Sequence, residues 1–139
     1  MKYNNLIPEL TVTNLEESKR FYINILGFKV EYERPESGFV YLSYQGSQIM
    51  LDSGNSEGSP WYTGKLEKPF GRGVHFQLDT DEVDILVKKL KENNWELKDE
   101  PKIHKFRKDD ELVVVKGFLV MDPDGYLLMF NQGMPREKL

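Results

Sequence analysis

His75 and His104 are the only imidazoles in a chain of 139 residues that has no cysteine. Acid–base, nucleophilic or metal chemistry would therefore need one of these two rings, or carboxylates alone. A Ser-His-Asp triad needs a serine held on a strand–Gly-x-Ser-x-Gly–helix elbow, and no such elbow is present to supply it. Ser56, Ser59 and Thr63 fall in a stretch rich in glycine and proline, where they read as turn residues. Asp79, Asp81, Glu82 and Asp84 look like a carboxylate cluster, but they stand where a helix begins and complement its dipole. Gly71-Arg72-Gly73 precedes a strand instead of opening a helix, so it is not a phosphate loop. His104 reads as an exposed strand residue beside Lys102, Lys105 and Arg107. The side chains best placed for a ligand are Trp61 and Tyr62. They are adjacent aromatics in a loop, a natural platform for a planar molecule.

Composition narrows the partners. A net charge of −4 lacks the concentrated basic surface that phosphate backbones require, so nucleic acid is not expected. No apolar run approaches the roughly 20 residues that span a bilayer, so no membrane partner is expected. The residues Met1 to Asn5 carry no apolar signal core. With the lack of cysteine, this fits a cytoplasmic location. An acidic chain suits a cationic ligand.

The elements that would position these residues read as one unit used twice. Leu6 to Thr13 alternates as a strand does. Asn14 caps the following helix with Glu17 three residues later, and Phe21, Tyr22, Ile25 and Leu26 share a face before Gly27 ends it. Strands follow at Phe28 to Glu33, Phe39 to Tyr44 and Gln48 to Asp52. The pattern recurs after a displacement of roughly 66 to 68 residues. Val74 to Leu78 is a strand, and Val83, Leu86, Val87 and Leu90 stripe a helix ended by Asn93-Asn94. Strands at Lys102 to Arg107, Leu112 to Met121 and Tyr126 to Asn131 complete the copy. The expected class is α+β, with two tandem βαβββ modules forming a curved eight-stranded mixed sheet around a pocket. The first module covers residues 1–53, the connecting loop 54–72 and the second module 73–133, all within a single domain.

Four segments in this order carry a resemblance: Ile7-Pro8-Glu9-Leu10-Thr11-Val12, Phe21-Tyr22 with Ile25-Leu26-Gly27-Phe28, Pro69-Phe70-Gly71-Arg72-Gly73, and the turn Asp122-Pro123-Asp124-Gly125. The chain resembles the vicinal oxygen chelate superfamily, which holds glyoxalase I, extradiol dioxygenases, fosfomycin-modifying enzymes and bleomycin resistance proteins. The closest similarity is to the bleomycin resistance branch.

Metal-dependent members of that superfamily bind a divalent ion through side chains from four strands. Carried over by position, these are Ile7, Met50, Met129 and either Gly73 or His75. Hard divalent cations avoid thioethers and need several N or O ligands, so the resemblance implies the fold without its usual metal chemistry and without a cofactor. One pleat further along the same faces stand Glu9, Asp52, His75 and Asn131. They form the polar rim of a pocket or, in the alternative reading, a shifted metal site for a lyase or dioxygenase. The expected function is a bleomycin-resistance-like protein that sequesters an aromatic, cationic small molecule without making or breaking a bond. The resemblance implies a homodimer whose grooves hold the drug and add antibiotic resistance, with Pro8 where the first strand crosses to the partner. Ligand contacts are expected from Phe39, Asp52, Trp61, Tyr62, His75 and Phe106.

Overall fold

The computed structural model describes residues 1–56 and 58–139. Asn14 caps the first helix as its residue type requires: its Oδ1 accepts a 3.1 Å hydrogen bond from the Glu17 backbone N–H. The helix α1 (Leu15–Lys19) then widens into a π-helical segment, Arg20–Ile25. Widening adds a residue to the turn and brings Phe21, Tyr22 and Ile25 together into the core. Gly27, at φ +85°, ends the segment in the left-handed conformation that glycine adopts freely.

Around this helix stand β1 (Glu9–Thr11), β2 (Lys29–Arg34), β3 (Phe39–Tyr44) and β4 (Ser47–Asp52), in the order β1-β4-β3-β2. The second copy has β5 (His75–Asp79), α2 (Val83–Glu92), β6 (Asp99–Lys108), β7 (Glu111–Met121) and β8 (Leu127–Lys138), in the order β5-β8-β7-β6. In both sheets the strand before the helix pairs in parallel with the last strand, and every other ladder is antiparallel. The chain is therefore α+β, with eight strands carried as two four-stranded mixed sheets of the same topology.

The strand limits differ from the sequence reading where burial is weak. β1 keeps only three residues, since Met50 N–H bonds to the Pro8 carbonyl and the chain before it leaves the ladder. β8 runs on to Lys138 through polar residues that no alternation marks, because β7 projects far enough to pair with them, Glu111 opposite Lys138. Among the described residues, no helix is long and apolar enough to cross a membrane.

One core serves both sheets. The helix-covered face of the first carries Leu10, Val40, Leu42 and Leu51, and that of the second carries Leu78, Phe118, Val120 and Phe130. These two faces look at each other. Tyr44 on β3 meets Phe130 on β8 edge-on at 5.8 Å, and its hydroxyl lies 2.8 Å from Thr80 Oγ1. Phe21 packs on Trp95 across the junction at 4.7 Å. The turn at Asp122-Pro123-Asp124-Gly125 is the polar clasp between the copies. Thr13 Oγ1 donates to Asp124 Oδ1 at 2.6 Å, Tyr22 Oη to Asp122 Oδ2 at 2.8 Å, and Tyr126 Oη to the Thr11 carbonyl at 3.0 Å. Because the helix-covered faces meet, the two opposite faces point away from each other. This geometry decides where a site can be.

Candidate functional site

Pleating places alternate residues on opposite sides of a sheet, and the register then fixes what shares the open face of the first sheet. Glu9 pairs with Met50, Thr11 with Asp52, Asp52 with Phe39 and Met50 with Tyr41; β2 adds Tyr32 opposite Tyr41 and Arg34 opposite Phe39. The result is an aromatic bed with two carboxylates at its edge. Tyr41 stacks on Tyr32 at 5.2 Å and takes the edge of Tyr3 at 5.5 Å. The N-terminal segment is held down over this end of the face. Gln48 Nε2 donates to the Lys2 carbonyl at 2.7 Å, while its Oε1 accepts from the Tyr41 hydroxyl and from Asn4 N–H, each at 2.8 Å.

Phe39 lies on the expected face but is not free. Arg34 sits with its guanidinium carbon 4.0 Å from the Phe39 ring centre, a cation–π contact that covers the ring and leaves it 3% exposed. Burial pushes the Glu9 carboxyl above its usual range, the Asp52 charge pushes it further, and Arg34 offsets part of both. Glu9 thus senses Asp52 as a like charge on the same surface. Asp52 Oδ1 also accepts from Gly54 N–H at 2.7 Å, which fixes the start of the connecting segment.

That segment folds back to form a cavity of about 740 Å³ against the end of β1, lined by Thr11, Thr13, Ser53, Asn55, Tyr62 and Phe70 among others. Tyr62 Oη donates to the Asn55 carbonyl at 3.2 Å, which orients the ring. Trp61 is 70% exposed and is not part of the cavity wall. Phe39, Asp52, Thr11 and Tyr62 therefore follow one another from the sheet into the cavity. The order Gly54-Asn55-Ser56-Glu57-Gly58 spells the nucleophile pattern, yet residues 58–74 hold only turns, bends and irregular chain, so among the described residues no helix follows it as an elbow requires. Glu57 lies outside the described residues.

His75 and Phe106 stand elsewhere. Both are on the open face of the second sheet, with Gln77, Leu127, Met129 and Asn131 from β5 and β8 and with Val115, Gly117 and Leu119 from β7. Phe106 is half exposed and stacks on His104 at 6.1 Å. His75 also lines a smaller cavity of about 260 Å³ beside Leu6, Pro8 and Gln48. Sequence reasoning placed His104 correctly in a strand but did not mark Gln77. Gln77 bridges His75 and Asn131, and only the pairing of β5 with β8 reveals this.

The residues do not suit a divalent ion within one chain. Ile7, Met50 and Met129 offer no hard donor. The alternative set is divided, with Glu9 and Asp52 on one open face and His75 and Asn131 on the other, which points away. Among the described residues, no three His, Cys, Asp or Glu side chains lie close enough to share a cation.

Residues 6–130 match the family model described as the Glyoxalase/Bleomycin resistance protein/Dioxygenase superfamily, and the chain belongs to that family. Solved structures of the same fold include a glyoxalase/bleomycin resistance protein/dioxygenase from Alicyclobacillus acidocaldarius, at 18% identity and TM-score 0.65, covering 95% of this chain and 92% of that one. A glyoxalase/dioxygenase from Nostoc punctiforme has 23% identity and TM-score 0.66, with 93% and 90% covered. A genomically encoded fosfomycin resistance protein from Listeria monocytogenes has 18% identity and TM-score 0.61, with 96% of each chain covered. At these identities the likeness concerns the fold alone. No curated protein sequence matches the chain.

Proposed function

We propose that this member of the superfamily is a binding protein that sequesters an aromatic, cationic small molecule, in the manner of a bleomycin resistance protein, without bond chemistry. The observation that carries this reading is the pair Glu9 and Asp52 at the rim of the Tyr32–Phe39–Tyr41 bed. The Asp52 charge adds to the raised proton affinity of Glu9, a repulsion that a bound cation relieves, and the exposed Tyr32 ring together with Tyr62 suits a planar body. Trp61, exposed beside Tyr62, is free to fold over such a ligand. The acceptor pair would serve an enzyme poorly, since no imidazole shares its face.

A symmetric homodimer completes this proposal. Each open face is half of a groove, and a two-fold axis would set the first sheet of one subunit against the second sheet of its partner, adding His75 and Phe106 to the wall. Within the single chain the Pro8 carbonyl accepts from Met50 N–H at 2.9 Å. A resistance role in the cytoplasm follows from the same proposal. The reading as a lyase or dioxygenase with a shifted metal at Glu9, Asp52, His75 and Asn131 has no specific observation in its favour.

Titration of purified protein with metal-free bleomycin and with smaller planar cations tests the proposal, alongside sedimentation. Saturable binding by a dimer, weakened in Asp52→Asn, is expected. Stoichiometric zinc, nickel, iron or manganese surviving dialysis would instead establish the metal enzyme.

A further inference from the structure

Three polar side chains cross the open face of the second sheet in a line. Gln77 Nε2 lies 3.1 Å from His75 Nε2, and Asn131 Nδ2 donates to Gln77 Oε1 at 3.3 Å. Since Gln77 Oε1 accepts from Asn131, it is the Gln77 amide nitrogen that faces the His75 ring. The line begins at an exposed imidazole and ends at an acceptor with nothing to accept. Asn131 is 6% exposed, and its Oδ1 is buried without a hydrogen-bond partner among the described residues.

The surroundings make this oxygen a subsite. Gly117 stands directly opposite Asn131, and a Cβ there would overlap Asn131 Oδ1 and come within 3.2 Å of Met129 Cε. The missing side chain is what lets the carboxamide lie over β7. Met129 covers it with the end of an unbranched thioether, a group that changes rotamer easily. Around it are the apolar Val115, Leu119 and Leu127; Asp79 lies beside Asn131 on β5, and Lys102, opposite Gly117 on β6, is paired with Asp99 at 3.0 Å. A buried acceptor in an apolar setting is costly until a donor reaches it, and that cost becomes selectivity for ligands that bring one.

We propose that the open face of the second sheet holds a polar subsite, closed by Met129, where Asn131 Oδ1 accepts a hydrogen bond from a neutral apolar ligand bearing one hydroxyl or N–H group. A hydroxylated aromatic ring fits this chemistry: its hydroxyl reaches Asn131 once Met129 swings aside, and its ring lies on Val115 toward the His104–Phe106 stack. This subsite lies on the face that the proposed dimer sets against the cation site, and a neutral probe tests it separately from the cation reading.

Phenol and anisole separate a donor-bearing ring from the same ring without one. Each is titrated into isotope-labelled protein while the side-chain amide resonances of Asn131 and Gln77 are followed, with Asn131→Leu and Gln77→Leu used to assign them. Phenol should shift both amides saturably and bind at least about tenfold more tightly than anisole, the ratio that one satisfied hydrogen bond gives. Gly117→Ala pushes the Asn131 head aside at a position with ordinary backbone, so it should keep its melting transition and lose phenol affinity by a similar factor. Asn131→Leu should do the same, and it provides the comparison should Gly117→Ala fold poorly. Equal binding of phenol and anisole, unmoved Asn131 resonances, or full phenol affinity in both variants would overturn the proposal. So would the absence of binding by either probe.

Discussion

Tyr22 Oη donates a 2.8 Å hydrogen bond to Asp122 Oδ2, joining the π-helical segment of the first copy to the turn between the last two strands of the second. Both groups are buried. Asp122 Oδ1 meanwhile accepts from the backbone N–H groups of Asp124 and Tyr126, each at 2.9 Å. Burial raises the Asp122 carboxyl from 3.8 to about 6, although all three hydrogen bonds oppose the rise. Burial and the Asp122 charge likewise push the Tyr22 hydroxyl well above 10.

Asp122 therefore makes stability fall as pH rises. Its folded pKa lies above its unfolded value, so the native state binds more protons between the two. The contribution is complete below pH 3.8 and is lost as pH passes about 6. A shift of this size corresponds to about 3 kcal/mol. Denaturant titrations from pH 4 to pH 7 should show the wild type losing about that much relative to Asp122→Asn. A constant difference between the two proteins over that range would rule the effect out.

Much of the fold could be read from local residues. The Asn14 cap, the stop at Gly27 and the recurrence of strand, helix and three strands depend on neighbours close in sequence. The site was less legible because it depends on how the two copies pack. Nothing in the spacing of Tyr44 and Phe130 announces that they touch, yet their contact turns the helix-covered faces together and separates Phe39 and Asp52 from His75 and Phe106. Phe39 appeared free because its cover, Arg34, comes from the opposing strand. Tyr3 lies outside any strand, so its contact with Tyr41 could not be inferred from pattern.

Aromatic substitutions should separate platform from core. Trp61 is mostly exposed, so Trp61→Ala should leave the melting temperature nearly unchanged, with binding of a planar cation weakened by about 1–3 kcal/mol as in other aromatic stacking platforms. Phe21 is fully buried against Tyr22 and Trp95, and Phe21→Ala should cost about 3–5 kcal/mol through the cavity it leaves. Parallel thermal melts check both; a collapsed transition in Trp61→Ala would place that ring in the core.

Gly125 tests the clasp. It has φ +95°, and a Cβ there would lie 2.5 Å from Pro69 Cα and Cβ, in backbone that cannot easily retreat. Gly125→Ala should destabilise the protein by more than the roughly 1–3 kcal/mol of backbone strain alone, because the connecting segment must also move. Chemical denaturation reads the loss, and a variant as stable as wild type would show that the turn and Pro69 are not in close contact.

The most direct test of the central claim is calorimetric titration of metal-free bleomycin into wild type and into Glu9→Gln/Asp52→Asn, run at mildly acidic pH in buffers of different ionisation enthalpy. A bound cation should draw the raised Glu9 carboxyl back toward its ordinary range, so wild-type binding should release protons. The double variant should bind at least about tenfold more weakly, the loss of roughly 1.4 kcal/mol or more, and release none. Equal affinity in the two proteins, or no saturable heat in wild type, would contradict the account.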